Sequence, residues 1–266
     1  MKIKMVVTDL DDTLLYNNET LPSESIKIIN RCREKGVLFV VATSRSIASA
    51  KRITDKLKPD AIISSGGANA ICDNNIIYDA MLSVEDSNRL IKQCINDNKI
   101  EFIRIIGEMV DLTNNPNISL SEKEYGHYIR TDFEVIPEQR INKITIYSSN
   151  IEHVSKMFKK DERCCLITSY SGKNIHKLAH SKATKEDALS EVLKYFGLGF
   201  NDILSFGDDT SDMNMLYLSG IGVAVDNAKQ SVKDVANDIC DSNEKKGVLK
   251  YLVDNFEFLF GGKNDY

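Results

Sequence analysis

No stretch of this chain approaches the roughly 18 consecutive apolar residues that a membrane-spanning helix needs, so no membrane partner is expected. The run Met5-Val6-Val7 stops at Thr8 and Asp9, too short for the apolar segment of a secretory signal. The six cysteines, at 32, 72, 94, 164, 165 and 240, form no Cys-x-x-Cys pair. In a chain of this length they read as reduced core residues, which points to the cytoplasm rather than to a disulfide framework. The four histidines (127, 153, 176, 180) lack metal-site spacing such as His-Glu-x-x-His and are expected to be structural or superficial. Basic charge is not in excess either. Lys and Arg total 34 against 39 for Asp and Glu, a net charge of −5, which disfavours nucleic acid and anionic lipid as partners. Internal repeats and low-complexity tracts are absent, and no obligate protein partner is evident.

What remains is ordinary globular material: 266 residues, 42% hydrophobic and 27% charged. Lys4–Thr8 is a β-branched run breaking into acidic residues, the pattern of a buried strand with a polar C-terminal edge. Pro22 and Ser23 open a helix carrying Ile26, Ile28, Ile29 and Cys32, and Gly36 stops it. Val37–Ala42 reads as a second strand, 46–57 as a helix and Ala61–Ser64 as a third strand. The alternation returns late, with a helix over Lys185–Phe196, strands at 202–206 and 221–225, and helices at 211–218, 229–236 and 245–258. Unbroken apolar strands alternating with helices imply a doubly wound, Rossmann-like parallel sheet covered on both faces.

The middle of the chain differs. A helix at 84–97, strands at 101–106, 143–148, 164–168 and 174–179, a helix at 151–160 and a polar stretch at 111–128 make an α+β insert. The expected division is a core of residues 1–80 and 181–266 with a cap domain at 81–180.

Open parallel sheets bind ligands at the carboxyl ends of their strands. Four such ends carry polar clusters here: Asp9-Leu10-Asp11-Asp12-Thr13, Thr43-Ser44-Arg45, Ser64-Ser65-Gly66-Gly67, and Gly207-Asp208-Asp209-Thr210-Ser211-Asp212. A single Asp after a strand is most often a turn former or helix cap. Two acidic clusters converge if their strands are neighbours, and such clusters repel one another unless a hard divalent cation such as Mg²⁺ neutralises them.

This set of motifs resembles the haloacid dehalogenase superfamily of phosphotransferases. Lys182-Ala-Thr-Lys185-Glu-Asp-Ala-Leu189, Gly222–Ala228 and Ser242–Val248 look like its Cof-type hydrolases, which insert a large α/β cap after the third strand. The resemblance implies that Asp9 is a nucleophile forming an aspartyl phosphate. It implies that Asp11 protonates the leaving oxygen and later takes a proton from water. Mg²⁺ would be held by Asp9, the Asp11 carbonyl and Asp208, with Asp212 a further acidic neighbour that binds the metal directly or through water. Thr43, a backbone N–H of Ser44 at a helix start, and Lys185 would hold the phosphoryl oxygens. Lys182 is a rival for Lys185, which fits the family's Lys-Gly-x-Ala-Leu better. The cap would open to admit a small phosphorylated metabolite, a sugar phosphate or phosphorylated cofactor, and close to exclude water.

The chain departs from the pattern at Asp12 and Ser44, where glycine is common, and at Gly66 and Ser211, where asparagine is. Arg45 would either reach a substrate anion or sit in an ion pair, and Asn227 would orient Lys185 or Asp208. Tyr125, His127, Tyr128 and Arg130 form an aromatic–basic cluster expected to pack. Two rival readings stand beside the phosphatase: a phosphomutase of the same superfamily, and a catalytically silent sensor of a phosphate ligand.

Overall fold

The computed structural model describes residues 3–116, 128–136, 138–159, 161–168 and 174–261. The chain divides into two compact units, one of Met1–Tyr78 with Thr184–Tyr266 and the other of Asp79–Ala183.

In the first third lie strands β1 (Met5–Thr8), β2 (Leu38–Ala42), β3 (Ala61–Ser64), β4 (Asn69–Cys72) and β5 (Asn75–Asp79), with helices α1 (Ser25–Glu34) and α2 (Ile47–Leu57). The middle holds α3 (Val84–Ile95), β6 (Phe102–Gly107), β7 (Asp111–Thr113), β8 (Tyr128–Arg130), β9 (Ile141–Tyr147), α4 (Ile151–Phe158), β10 (Cys164–Thr168) and β11 (Ile175–His180). The last third contains α5 (Lys185–Phe196), β12 (Ile203–Gly207), α6 (Met213–Leu218), β13 (Ile221–Val225), α7 (Gln230–Lys233), β14 (Asp238–Cys240), α8 (Gly247–Asp254) and α9 (Phe256–Phe260).

The first unit is built on one sheet in the order β14-β13-β12-β1-β2-β3-β4-β5. The six strands from β14 to β3 are mutually parallel, and all but the short edge strand β14 are mostly apolar and buried because helices cover both faces. Alternate residues of β1 serve opposite layers. Val6 packs with α1, α2, α8 and α9, whereas Met5 and Val7 pack with Ala188, Leu189, Val192 and Leu193 of α5. The chain winds outward from β1 through β2 and β3, then returns to place β12 on the other side of β1. That reversal is the topological switch point at which such sheets bind ligands. Thr8 pairs with Phe206 on one side and Val41 on the other, so the segments after β1, β2 and β12 emerge together.

Beyond β3 the sheet turns antiparallel, which the strand–helix alternation does not foretell. Asp73 and Asn74, both left-handed at φ 48° and 63°, make the two-residue turn between β4 and β5. On α1, Ile29 and Cys32 face the core, but Ile26 is 42% exposed. Ser25, four residues before Ile29, is the first-turn residue on the buried face, and Ile26 is turned about 100° from it toward solvent.

The second unit has a six-stranded sheet in the order β10-β11-β9-β6-β7-β8, antiparallel except for the β7–β8 pair. One face is packed by Leu90, Ile91 and Cys94 of α3 and by Val154 and Phe158 of α4. Tyr128 is half-buried, with the Arg104 guanidinium 5.7 Å from its ring centroid, and Arg130 is exposed. Tyr125 and His127 lie outside the described residues. His153 pairs with Asp97 at 2.6 Å, His180 accepts from the Lys182 N–H, and His176 is buried. Cys32, Cys72, Cys94, Cys164 and Cys240 are free thiols, and burial raises each of their pKa values to about 11 or 12. Among the described residues no helix is long and apolar enough to cross a membrane.

Candidate active site

Asp9 continues β1 in extended conformation, its N–H donating to the Phe206 carbonyl of β12. The chain then folds back within a few residues. Asp11 is extended and Asp12 left-handed (φ 56°, ψ 7°), and the Leu15 N–H closes the turn on the Leu10 carbonyl. Leu10, Leu14 and Leu15 are buried and anchor it. The positive φ explains why glycine suits position 12, and Asp is among the few side chains that tolerate it. Asn227 donates to the Asp12 carbonyl at 2.7 Å and accepts from the Asn243 N–H, while Asn243 donates to the Leu15 carbonyl. Asn227 therefore supports the first turn. No hydrogen bond joins it to Lys185 or Asp208 among the described residues, because its amide is spent on the backbone at Asp12 and Asn243.

The turn after β12 is built differently. Asp212 is fully buried and folds back so that one carboxylate oxygen accepts from the Asp208 and Asp209 N–H groups. Gly207 makes the room: a Cβ there would fall 2.5 Å from the Asp212 Cβ. Asp208 is held from the other turn, by the Thr13 hydroxyl at 2.9 Å.

Lys185 is the first residue of α5, behind a Thr184 N-cap whose hydroxyl accepts from the Asp187 N–H. Only 1% of it is exposed, and its ammonium lies 2.6 Å from an Asp9 oxygen and 2.6 Å from an Asp212 oxygen. The start of α5 is located by Gly67, at φ +103°, where a Cβ would fall 2.1 Å from the Thr184 carbonyl group. Lys182, the rival, belongs to the other unit.

Carboxylate oxygens of Asp9, Asp208 and Asp212 lie within 4.8 Å of one another. One ammonium cannot balance three carboxylates. Burial raises the pKa of Asp9, against the pull of Lys185, and the Asp212 charge raises it further. Burial likewise raises Asp208, with the charges of Asp9 and Asp212 adding to it. For Lys185, burial works in the opposite direction, yet Asp212 and Asp9 hold its pKa above the ordinary lysine value. Burial thus dominates both carboxyl shifts, and the neighbouring carboxylates add a surplus of negative charge that Lys185 reduces without cancelling.

A divalent cation fits this surplus. Each of Asp9 and Asp208 keeps one carboxylate oxygen that no donor reaches among the described residues, whereas both Asp212 oxygens are engaged. The donors are all oxygen, the chemistry of a hard ion. Asp9 and Asp208 thus each have an oxygen to offer such an ion, while Asp212 spends both of its own on Lys185 and the turn.

Thr43 is buried at the end of β2, its hydroxyl accepting from the Arg45 N–H. Ser44 does not open a helix: α2 begins at Ile47 behind the Ser46 N-cap, so Ser44 lies in the connecting turn. That turn is braced by the next one, with the Gly66 N–H donating to the Thr43 carbonyl and the Ser65 N–H to that of Arg45. Asp11 does not join the Asp9–Asp208–Asp212 cluster, because its carboxylate is grasped by Arg45. Arg45 is therefore ion-paired in this structure.

Sequence reasoning gave no part to Thr13, Gly67, Gly207 or Asn243. Their signal was present but mute: each sits in or beside a motif, and its partner lies up to 228 residues away.

The chain is similar to known proteins over nearly its whole length. A family model described as haloacid dehalogenase-like hydrolase matches residues 6–252. The chain is 26% identical over 255 residues to a 5-amino-6-(5-phospho-D-ribitylamino)uracil phosphatase of Bacillus subtilis, with 94% of each chain covered. A haloacid dehalogenase-like hydrolase from Bacteroides thetaiotaomicron superposes with TM-score 0.80 at 22% identity, over 95% of this chain and 99% of that one. A sugar phosphatase of subclass IIB superposes with TM-score 0.80 at 21% identity, over 94% and 98%.

Proposed function

The chain belongs to the haloacid dehalogenase-like hydrolase family, and on that premise we propose that it is a Mg²⁺-dependent phosphatase of small phosphorylated metabolites. The observation that carries this is the buried Lys185 ammonium bridging Asp9 and Asp212 beside Asp208. A binding protein needs positive charge for a phosphate. It does not need a carboxylate aimed at the same place.

In this reading one carboxylate oxygen of Asp9 attacks phosphorus and the other is left for the metal, Lys185 turning from Asp9 to the phosphoryl group. The bond from phosphorus to the leaving oxygen breaks as the bond to Asp9 forms, and Asp11 supplies the proton that the leaving oxygen takes. Water then attacks the aspartyl phosphate, Asp11 accepts its proton, and inorganic phosphate departs. Lys185 and Thr43 hold phosphoryl oxygens and offset the charge that develops on them. Asp9 and Asp208, with the Asp11 carbonyl, would hold Mg²⁺, which when bound offsets the repulsion between the Asp9 carboxylate and a phosphate dianion. We assign substrate choice to the inserted unit of residues 79–183, acting as a cap. The kinship with a phosphatase of a ribityl-uracil phosphate and with a sugar phosphatase supports polyol and sugar phosphate esters as the class to screen first.

The test is phosphate release from an aryl phosphate and a panel of metabolite phosphates, with Mg²⁺, by wild type and Asp9→Asn. Release by the wild type alone supports the reading. No release from any ester by the wild type contradicts it.

A further inference from the structure

Arg45 stands out within the first unit because none of the roles above uses it. Its side chain is only 16% exposed, and its backbone is fixed at both ends, by the Thr43 hydroxyl and the Ser65 N–H. From that base the guanidinium reaches both Asp11 oxygens, with Nε at 2.9 and 3.1 Å, and Nη2 completes the fork on one of them. Nη2 also meets a Glu19 oxygen at 2.9 Å. Glu19 comes from the loop between β1 and α1 in a left-handed conformation, φ 59°, with its N–H on the Tyr16 carbonyl. Asp11 itself is 42% exposed at the side chain, and no other described residue makes a side-chain hydrogen bond to it. An exposed aspartate on a turn would otherwise sample several rotamers.

We propose that Arg45, anchored by Glu19, is a positioning residue that fixes the Asp11 carboxyl for proton transfer, and that it is not a binding residue for substrate. This rests on the phosphatase reading above. A planar fork that contacts both oxygens sets the orientation of a carboxyl group, as a single point charge would not. Glu19 supplies a second carboxylate, so the guanidinium keeps its charge partner and its place when Asp11 carries the proton that it gives to the leaving oxygen. Asp11 regains that proton from the attacking water. Arg45 touches no reacting atom in this scheme. Its effect passes entirely through Asp11.

The leaving group is the probe. Phenyl phosphate and 4-nitrophenyl phosphate are similar in size, but phenolate is the poorer leaving group and depends more on a donated proton. The quantity to compare is kcat/KM, which covers the steps up to loss of the phenol. Loss of positioned acid catalysis costs on the order of 10²-fold or more where the proton is needed. Arg45→Ala is therefore expected to lower kcat/KM for phenyl phosphate about 10-fold further than for 4-nitrophenyl phosphate. Arg45→Lys, which keeps the charge and loses the fork, should show the same selectivity at smaller size, and Glu19→Gln smaller still. In an Asp11→Asn background, Arg45→Ala should add little, since both act through one group. Thermal melts with and without Mg²⁺ establish that each variant is folded. Equal losses on the two esters, or a full further loss on top of Asp11→Asn, would overturn the proposal and make Arg45 a substrate-binding residue. A wild type inert toward both esters would instead bring down the phosphatase reading, and this inference with it.

Discussion

Asp9, Asp11 and Asp12 follow β1, and Asp208, Asp209 and Asp212 follow β12, three carboxylates on each of two adjacent strands. In composition the two turns are hard to tell apart. In the structure they divide their work. The first turn is open: Asp9 shares one oxygen with Lys185 and keeps the other, and Asp11 looks outward to Arg45. The second is closed: Asp212 is consumed by Lys185 and by the amides of its own turn, and Asp209 is paired with Lys229. Each turn also depends on the other, since Thr13 of the first holds Asp208 of the second. What an aspartate does here is decided by the partner that reaches it from elsewhere in the chain, more than by its neighbours in sequence.

This contrast can be broken one residue at a time. The largest effect is expected on the open side, where Asp9→Asn should lower phosphate release by on the order of 10³-fold or more while the melting temperature holds or rises. An activity loss with an equal collapse of stability would instead make Asp9 structural. Lys185→Met tests the group both turns share. Removing it leaves buried carboxylates without a counterion, a change that typically costs about 3–5 kcal/mol. Activity should fall on the order of 10²-fold with it. Urea unfolding together with turnover measures both, and added Mg²⁺ should recover part of the stability.

How much of this was legible beforehand follows the same division. Asp9, Asp208 and Lys185 could be named because they end a strand or open a helix, and because their spacing fits a family. The parallel sheet was legible from its unbroken apolar strands. Three features were not. Glycine at 67 is needed for a close approach to the distant Thr184, which no local pattern encodes, and the motif that holds Gly207 and Asp212 does not show that the two touch. Thr13 matters through a residue 195 positions away. Ser44 was expected at a helix start, but the Ser46 side chain caps the helix, and a serine pair two apart cannot be ranked without the backbone.

Smaller changes sharpen the dependence of one turn on the other. Thr13→Val removes the hydroxyl that orients Asp208, and loss of such a supporting bond commonly weakens metal affinity about 10-fold or more. The Mg²⁺ concentration for half-maximal activity should rise accordingly, with kcat at saturating Mg²⁺ little changed. An unchanged Mg²⁺ response would deny Asp208 a metal-binding part.

The smallest effect is one of pH. In chelator the surplus negative charge is unrelieved, and burial raises Asp9 from 3.8 to about 7 and Asp208 to about 8. The folded chain then holds these protons more tightly than the unfolded one, so their contribution to stability is fullest below 3.8 and is lost as pH rises through about 7 to 8. Thermal melts in EDTA should therefore fall by a few degrees between pH 6 and pH 8.5, each about 1 kcal/mol moving the midpoint by roughly 2–4 °C. Added Mg²⁺ should stabilise more at the higher pH. Midpoints that rise with pH in EDTA would contradict the assignment of unbalanced carboxylates.

The most direct test of the account is to locate the phosphoryl group during turnover. Protein mixed with a hydrolysable ester and Mg²⁺, quenched in acid and digested, should carry phosphate on the peptide containing Asp9, and Asp9→Asn should carry none. Phosphate on a different residue, or steady turnover by Asp9→Asn with no phosphoprotein at any time, would contradict it.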